Sequence, residues 1–145
     1  MVSDEVITVE ELHHLVGTDR ICLLDAREPE AYADGHIPGA VNFHPSLLEA
    51  TELLDSGEEV PSQLRAIHDL APYLRAAGVS NDVPVCIYDE GGGYLAARLW
   101  WGLDVAGHPR PRVLDGGYFC WTTSVNIAAT ESPPVRQGTF TPSRK

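Results

Sequence analysis

Three apolar runs each end in an aspartate: ICLLD over residues 21–25, VPVCIYD over 83–89 and RVLD over 112–115. ICLLD is a continuous apolar run up to its aspartate, the pattern of a strand buried on both faces, and the other two read as further buried strands. Helical stretches separate them. Strands alternating with helices predict an α/β fold with a mainly parallel sheet. In such sheets all strands point one way, and ligands bind beyond their carboxyl ends. Asp25, Asp89 and Asp115 are therefore expected along one edge, with Arg27 close by. An aspartate at a strand end also caps the turn that follows, and that plainer role stays open for Asp25 and Asp115.

The remaining elements follow from local signals. Thr8-Val9-Glu10-Glu11 is a capping box, so a short helix should run to about Val16 and end at Gly17. Pro29 suits the first turn of a helix over 30–33. Gly35-His36-Ile37-Pro38-Gly39 is a turn in which His36 and Pro38 are structural, and a short strand over 40–42 follows. Residues 44–61 read as polar loop. Ser62 is the expected cap of a helix with Leu64, Ile67, Leu70, Ala71, Leu74 and Ala77 at helical spacing, closed by Gly78. A further helix runs from Tyr94 to about Ala106, and a last one over 118–124. The segment 130–145, ESPPVRQGTFTPSRK with its lead residue, carries three prolines and no periodicity. It reads as an extended tail or interdomain linker, mobile beyond Ala129 and outside a domain over 1–129.

The loop Asp89-Glu90-Gly91-Gly92-Gly93, leading into Tyr94, joins a buried strand to a helix. Its glycines can take positive φ and expose their amides. With the first turn of the helix they form an anion cradle. It is neither a Walker loop nor a dinucleotide fingerprint, because Gly-Lys-Ser/Thr and GxGxxG are both absent. Arg98, about one turn into the helix, is in range to pair with Asp89 or Glu90, or is solvated. Arg27 reaches the crevice or pairs with Asp25 or Glu28.

A formal net charge of -11 argues against a nucleic-acid partner. Residues 1–60 hold 14 of the 21 acidic residues, a solubilising face or a surface for a protein partner. No apolar run is long enough to cross a bilayer, and the acidic N-terminus lacks a signal pattern, so a cytoplasmic location without membrane contact is expected. Cys22 and Cys86 fall inside strands and read as inert core residues. Cys120 lies between Phe119 and Trp121, on a helix expected to pack away from the loop. No CxxC pair and no histidine ligand spacing occur, so neither metal nor other cofactor is expected. The three tryptophans, Trp100, Trp101 and Trp121, read as core or interface aromatics, and an exposed Trp101 would favour docking.

LLDAREPEAYADGHIPGAVN, IYDEGGGYLAARLWWGLDVAGH and VLDGGYFCW resemble the rhodanese domains, sulfurtransferases that carry sulfur as a cysteine persulfide. The resemblance covers nearly the whole chain. It implies a single α/β domain around a five-stranded, mainly parallel sheet. It also implies that the residue ending the central strand, here Asp89, stands where active members have the sulfur-accepting cysteine. Tyr88-Asp89, Gly91–Gly93, Trp100-Trp101 and the QGTFTP tail are similar to the non-catalytic N-terminal domains of tandem thiosulfate/3-mercaptopyruvate sulfurtransferases. The implied role is a non-catalytic module beside a catalytic rhodanese domain, in the same chain or a separate protein. Active sulfur transfer through another cysteine stays open, as does an anion-binding, phosphatase-like site, although such phosphatases also need a loop cysteine. An aspartyl phosphotransferase would need a second carboxylate where Gly91 stands.

Overall fold

A computed structural model describes residues 5–53, 55–65 and 67–143. Five parallel strands form the central sheet: β1 (Val6–Ile7), β2 (Cys22–Asp25), β3 (Val41–Asn42), and two strands from the second half of the chain, Val85–Tyr88 and Pro111–Leu114. Between β3 and those two lies a separate antiparallel hairpin, β4 (Glu49–Leu53) and β5 (Glu59–Leu64). The last two sheet strands are therefore β6 and β7. The sheet order is β1-β7-β6-β2-β3, which puts β6 at the centre. The helices are α1 (Val9–Leu15), α2 (Pro29–Asp34), α3 (Ile67–Ala76), α4 (Tyr94–Val105) and α5 (Gly117–Ser124).

The central strands β2 and β6 face two apolar layers, which is why their sequences are apolar up to the closing aspartate. Leu24, Val85 and Ile87 face the layer built with Leu70, Leu74, Leu99 and Leu103 of α3 and α4. Leu23, Cys86 and Tyr88 face the opposite layer, with Leu12, Tyr32 and Trp121 of α1, α2 and α5. The capping box at Thr8 and Glu11 is formed in both directions.

The five strands are those the resemblance implies; one of them carried no sequence signal, and two local expectations are corrected. The fifth strand, β1, escaped the residue-level reading because it is two residues long and abuts the capping box; it is a strand only through its pairing with β7. Residues 44–61 are not simply loop: they hold a 3-10 turn (Pro45–Leu48) and most of the β4–β5 hairpin, whose turn uses Gly57 at φ +87°. Ser62 lies in β5 rather than capping a helix, and α3 starts at Ile67. Cross-strand pairing with residues 49–53 won over the local helical spacing. The side chains of Leu64 and Ile67 lie outside the described residues.

Among its described residues the tail has no helix and only an isolated bridge at Ala129, as its prolines suggest, but from there it follows the domain surface. Phe140 is buried in the α3–α4 layer. Gly138 N–H donates to Arg75 O, Phe140 N–H to Val79 O and Ser143 N–H to Ala106 O. A Cβ on Gly138 would lie 2.0 Å from Val79 O, so only glycine permits this approach. The buried Phe140 side chain and these backbone bonds together turn the expected mobile arm into a strap.

Candidate functional site

β6 delivers the chain to the carboxyl edge at Tyr88, and Asp89 is the first residue beyond it. Gly93 then turns with φ +84° into α4. That turn aims the loop amides inward, and the Asp89 carboxylate meets them. Oδ1 accepts from Gly91 N–H (2.9 Å) and Gly93 N–H (3.1 Å), while Oδ2 accepts from Ala96 N–H (3.0 Å). Asp89 is 5% exposed. A carboxylate at a helix N-terminus is favoured by the helix dipole, and bonds from amides to a charged acceptor are stronger than neutral ones.

The loop is braced from a second direction. Tyr118 N–H donates to Asp89 O (2.8 Å) and Phe119 N–H to Glu90 O (2.9 Å). The first turn of α5 thus satisfies the outward carbonyls while α4 satisfies the inward carboxylate. Gly117 makes this possible: at φ +59°, a Cβ there would lie 2.6 Å from Asp89 O and 2.8 Å from Gly91 N. The glycine pair Gly116-Gly117 before a helix was the available sequence signal for this contact, read only as a turn.

Arg27 forms the neighbouring centre. Its Nε and Nη2 bond Asp25, its Nη1 bonds Glu90 (2.8 Å), and Nη2 also donates to Gly35 O (2.6 Å). The guanidinium lies 4.1 Å from the Tyr118 ring centroid. Burial works to lower the Arg27 pKa, but bonds to Asp25 and Glu90 outweigh it and hold the group above its usual value. Asp25 is fully buried and accepts from Arg27 N–H as a turn cap. Burial and the Asp25 charge push the Tyr88 hydroxyl pKa well up. The cap and the ion pair expected of Asp25 and Arg27 therefore coexist. A cavity of about 200 Å³ opens here, lined by Arg27, Ala31, Asp34, Gly35, Glu90 and Tyr118.

Two of the expected residues lie apart from this centre. Arg98 pairs with Glu49 rather than with Asp89 or Glu90, because its face of α4 looks toward the start of β4. That partner is distant in sequence and appears only once the hairpin forms. Asp115 has its expected place after β7, next to β6, yet its side chain is exposed and its backbone N–H continues the ladder to Ile7. Tyr94 is exposed beside the loop. Among the described residues no group of His, Cys, Asp and Glu could hold a metal ion.

Cys22 and Cys86 are strand residues whose thiols are pushed up by burial, Cys22 to about 12. Cys120 corrects one expectation: α5 packs against the loop, not away from it, because its first-turn amides hold the loop carbonyls. The Cys120 thiol lies against Gly116, where a Cβ would come within 2.1 Å of Sγ. Thiolates, not thiols, react with alkylating agents. Brief iodoacetamide treatment of the folded protein at neutral pH is expected to label Cys120 and spare Cys22 and Cys86. Peptide mapping that finds Cys22 labelled as fast as Cys120 would contradict the burial described here.

Comparison with known proteins agrees with this architecture. The sequence profile described as "Rhodanese-like domain" matches residues 8–124. The chain is 36% identical over 116 residues to the 3-mercaptopyruvate sulfurtransferase of Escherichia coli (strain K12), covering 80% of this chain and 40% of that protein. It is 33% identical to the thiosulfate/3-mercaptopyruvate sulfurtransferase 2 of Arabidopsis thaliana, covering 84% of this chain and 37% of the relative. The crystal structure of SseA from Escherichia coli, described as having the "Rhodanese" fold, superposes with a TM-score of 0.84 at 26% identity, over 99% of this chain and 58% of the other. The chain spans half or less of the length of the curated relatives it matches. The matched profile, these sulfurtransferase relatives and the shared sheet together make the chain a member of the rhodanese-like domain family.

Proposed function

We propose that this chain is a non-catalytic rhodanese-like module that supports or docks to a catalytic rhodanese domain, in the same polypeptide or a separate protein. In this reading Asp89 stands where active members carry the sulfur-accepting cysteine. One observation carries it: the Asp89 carboxylate takes three inward amides and is 5% exposed. A carboxylate cannot form a persulfide, and here it occupies the cradle that would stabilise one.

The docking role has independent support. Trp101 is 52% exposed, Tyr94 71% and Phe119 68%. Tyr94 and Phe119 flank the loop, and Trp101 is two turns along α4 from Tyr94. Exposed aromatics are enriched at interface hot spots. The strap also leads to this helix, with Ser143 bonded to Ala106 at its carboxyl end. The comparison with longer relatives, some of which bear thiosulfate/3-mercaptopyruvate sulfurtransferase names, supports a partner domain of that kind. Three free cysteines fit a reducing cytoplasm, and among the described residues no helix is long and apolar enough to cross a membrane.

The direct test is an intact-mass spectrum after incubation with thiosulfate and, separately, with 3-mercaptopyruvate. No mass gain is expected. A gain of one sulfur atom that cyanide removes would overturn the proposal and favour sulfur transfer through a cysteine. Cys120 would be mapped first, since it shares the loop's edge of the sheet.

A further inference from the structure

His36 is fully buried in the turn between α2 and β3. Its Nδ1 lies 2.8 Å from Tyr32 O, and its Nε2 lies 2.9 Å from Glu131 O in the tail. Carbonyl oxygens only accept, whereas a neutral imidazole has one donor nitrogen and one acceptor. A neutral ring could satisfy one of these contacts and would set a lone pair against an oxygen at the other. An imidazolium donates to both. The ring is also stacked on Tyr32, with centroids 3.8 Å apart and planes within 3°. An aromatic face attracts a cation, so it adds to the same preference. His108 provides the contrast. Its Nε2 faces Ser80 O and Val83 O, but its Nδ1 accepts from Arg110 N–H, so a single ring proton serves both sides.

The two His36 contacts are unequal. Tyr32 belongs to α2, four residues away and held by helix bonds. Glu131 belongs to the strap, next to a single backbone bridge in which His36 and Ala129 exchange N–H···O bonds of 2.8 Å. The first part of the strap, 129–132, is thus held mainly by the His36 turn. Of the titratable and charged groups around the ring, α2 contributes Tyr32 and the exposed Asp34. Arg27, paired with Asp25, reaches the turn through Gly35 O. Tyr118 of α5 places its hydroxyl beside Gly35, and the Glu131 side chain is exposed.

We propose that His36 is a pH-sensitive latch. As an imidazolium it fastens residues 129–132 to the domain, and loss of one ring proton releases Glu131. The proton retained is the one facing Tyr32, because that oxygen is the less able to move. The sign follows: the bond that needs the second proton exists on the acid side and is lost as pH rises. The latch is independent of any partner and of the role assigned to Asp89.

NMR of the intact chain tests this without a mutation. Long-range correlations from ring C–H to ring nitrogens report the protonation of both His36 nitrogens, even where the N–H protons exchange fast. Both should be protonated at the acid end of a pH series and one alone at its alkaline end. The amide signals of Ala129, Glu131 and Ser132 should shift along the same curve. A single protonated nitrogen throughout would overturn the imidazolium assignment. Two protons throughout, or a ring transition that leaves residues 129–132 unmoved, would overturn the latch. His36→Phe keeps the stack and removes both donors, so the tail amides should occupy their alkaline positions at every pH.

Discussion

Replacing Arg27 with alanine should lower the unfolding free energy by about 3–5 kcal/mol, because it leaves a buried carboxylate without its counter-charge. Asp25 has no exposed surface, and Arg27 supplies its charge-assisted bonds from Nε and Nη2. The same guanidinium satisfies Gly35 O and holds Glu90 over the loop. A domain of this size is stable by only about 5–15 kcal/mol, so the variant should lie near the edge of folding. Arg27→Lys separates charge from shape. A lysine keeps the positive charge but cannot present a planar fork to several acceptors at once, so it should recover only part of the loss. Urea unfolding curves of the three proteins give the comparison. A loss below about 1 kcal/mol for the alanine variant would rank this pair with exposed surface ion pairs and refute its structural role.

Asp89→Ala should cost about 3 kcal/mol, more than the loss of one ordinary helix cap. The reason is the number of donors: three inward amides lose their acceptor together. Each unsatisfied buried donor costs about 1–3 kcal/mol, and water entering at the exposed Gly91 and Gly92 side relieves part of the sum. Asp89→Asn should fall between. Its carbonyl oxygen can serve the Gly91 and Gly93 amides, but its NH₂ group then faces the Ala96 donor. Hydrogen exchange should show the effect locally, as lost protection at Gly91, Gly93 and Ala96. An alanine variant of unchanged stability and protection would remove the main support for a carboxylate-filled cradle. Asp89→Cys asks the converse question. The same amides should favour a thiolate and lower the introduced thiol's pKa below its usual value of about 8.5.

These two centres differ in how far local sequence could describe them. The Asp89 loop is a short-range object: a strand end, glycines and a helix start, all within eight residues. Strand direction alone aims the chain outward, and glycine alone lets the amides turn in. Arg27 binds Asp25 two residues away, which is also local, but its contact with Glu90 spans 63 residues and needs β2 and β6 side by side. Arg98 shows the limit of local reasoning. One helical turn put it near Asp89 and Glu90 along the sequence, whereas its ion pair is with Glu49 of a hairpin that no periodic pattern announced.

From sequence by itself came the α/β class, the edge carrying the three aspartates, the capping box and the glycine cradle. Each rests on interactions within one element or on the direction of a buried strand. Tertiary structure alone decided that Gly117 docks α5 onto the loop, that β1 is a strand, that Phe140 straps the tail to the domain, and that His36 has a carbonyl on either side. All four depend on segments far apart in the chain meeting at contact distance. Backbone and side-chain groups state what they can bond, but only packing determines which partner they are given.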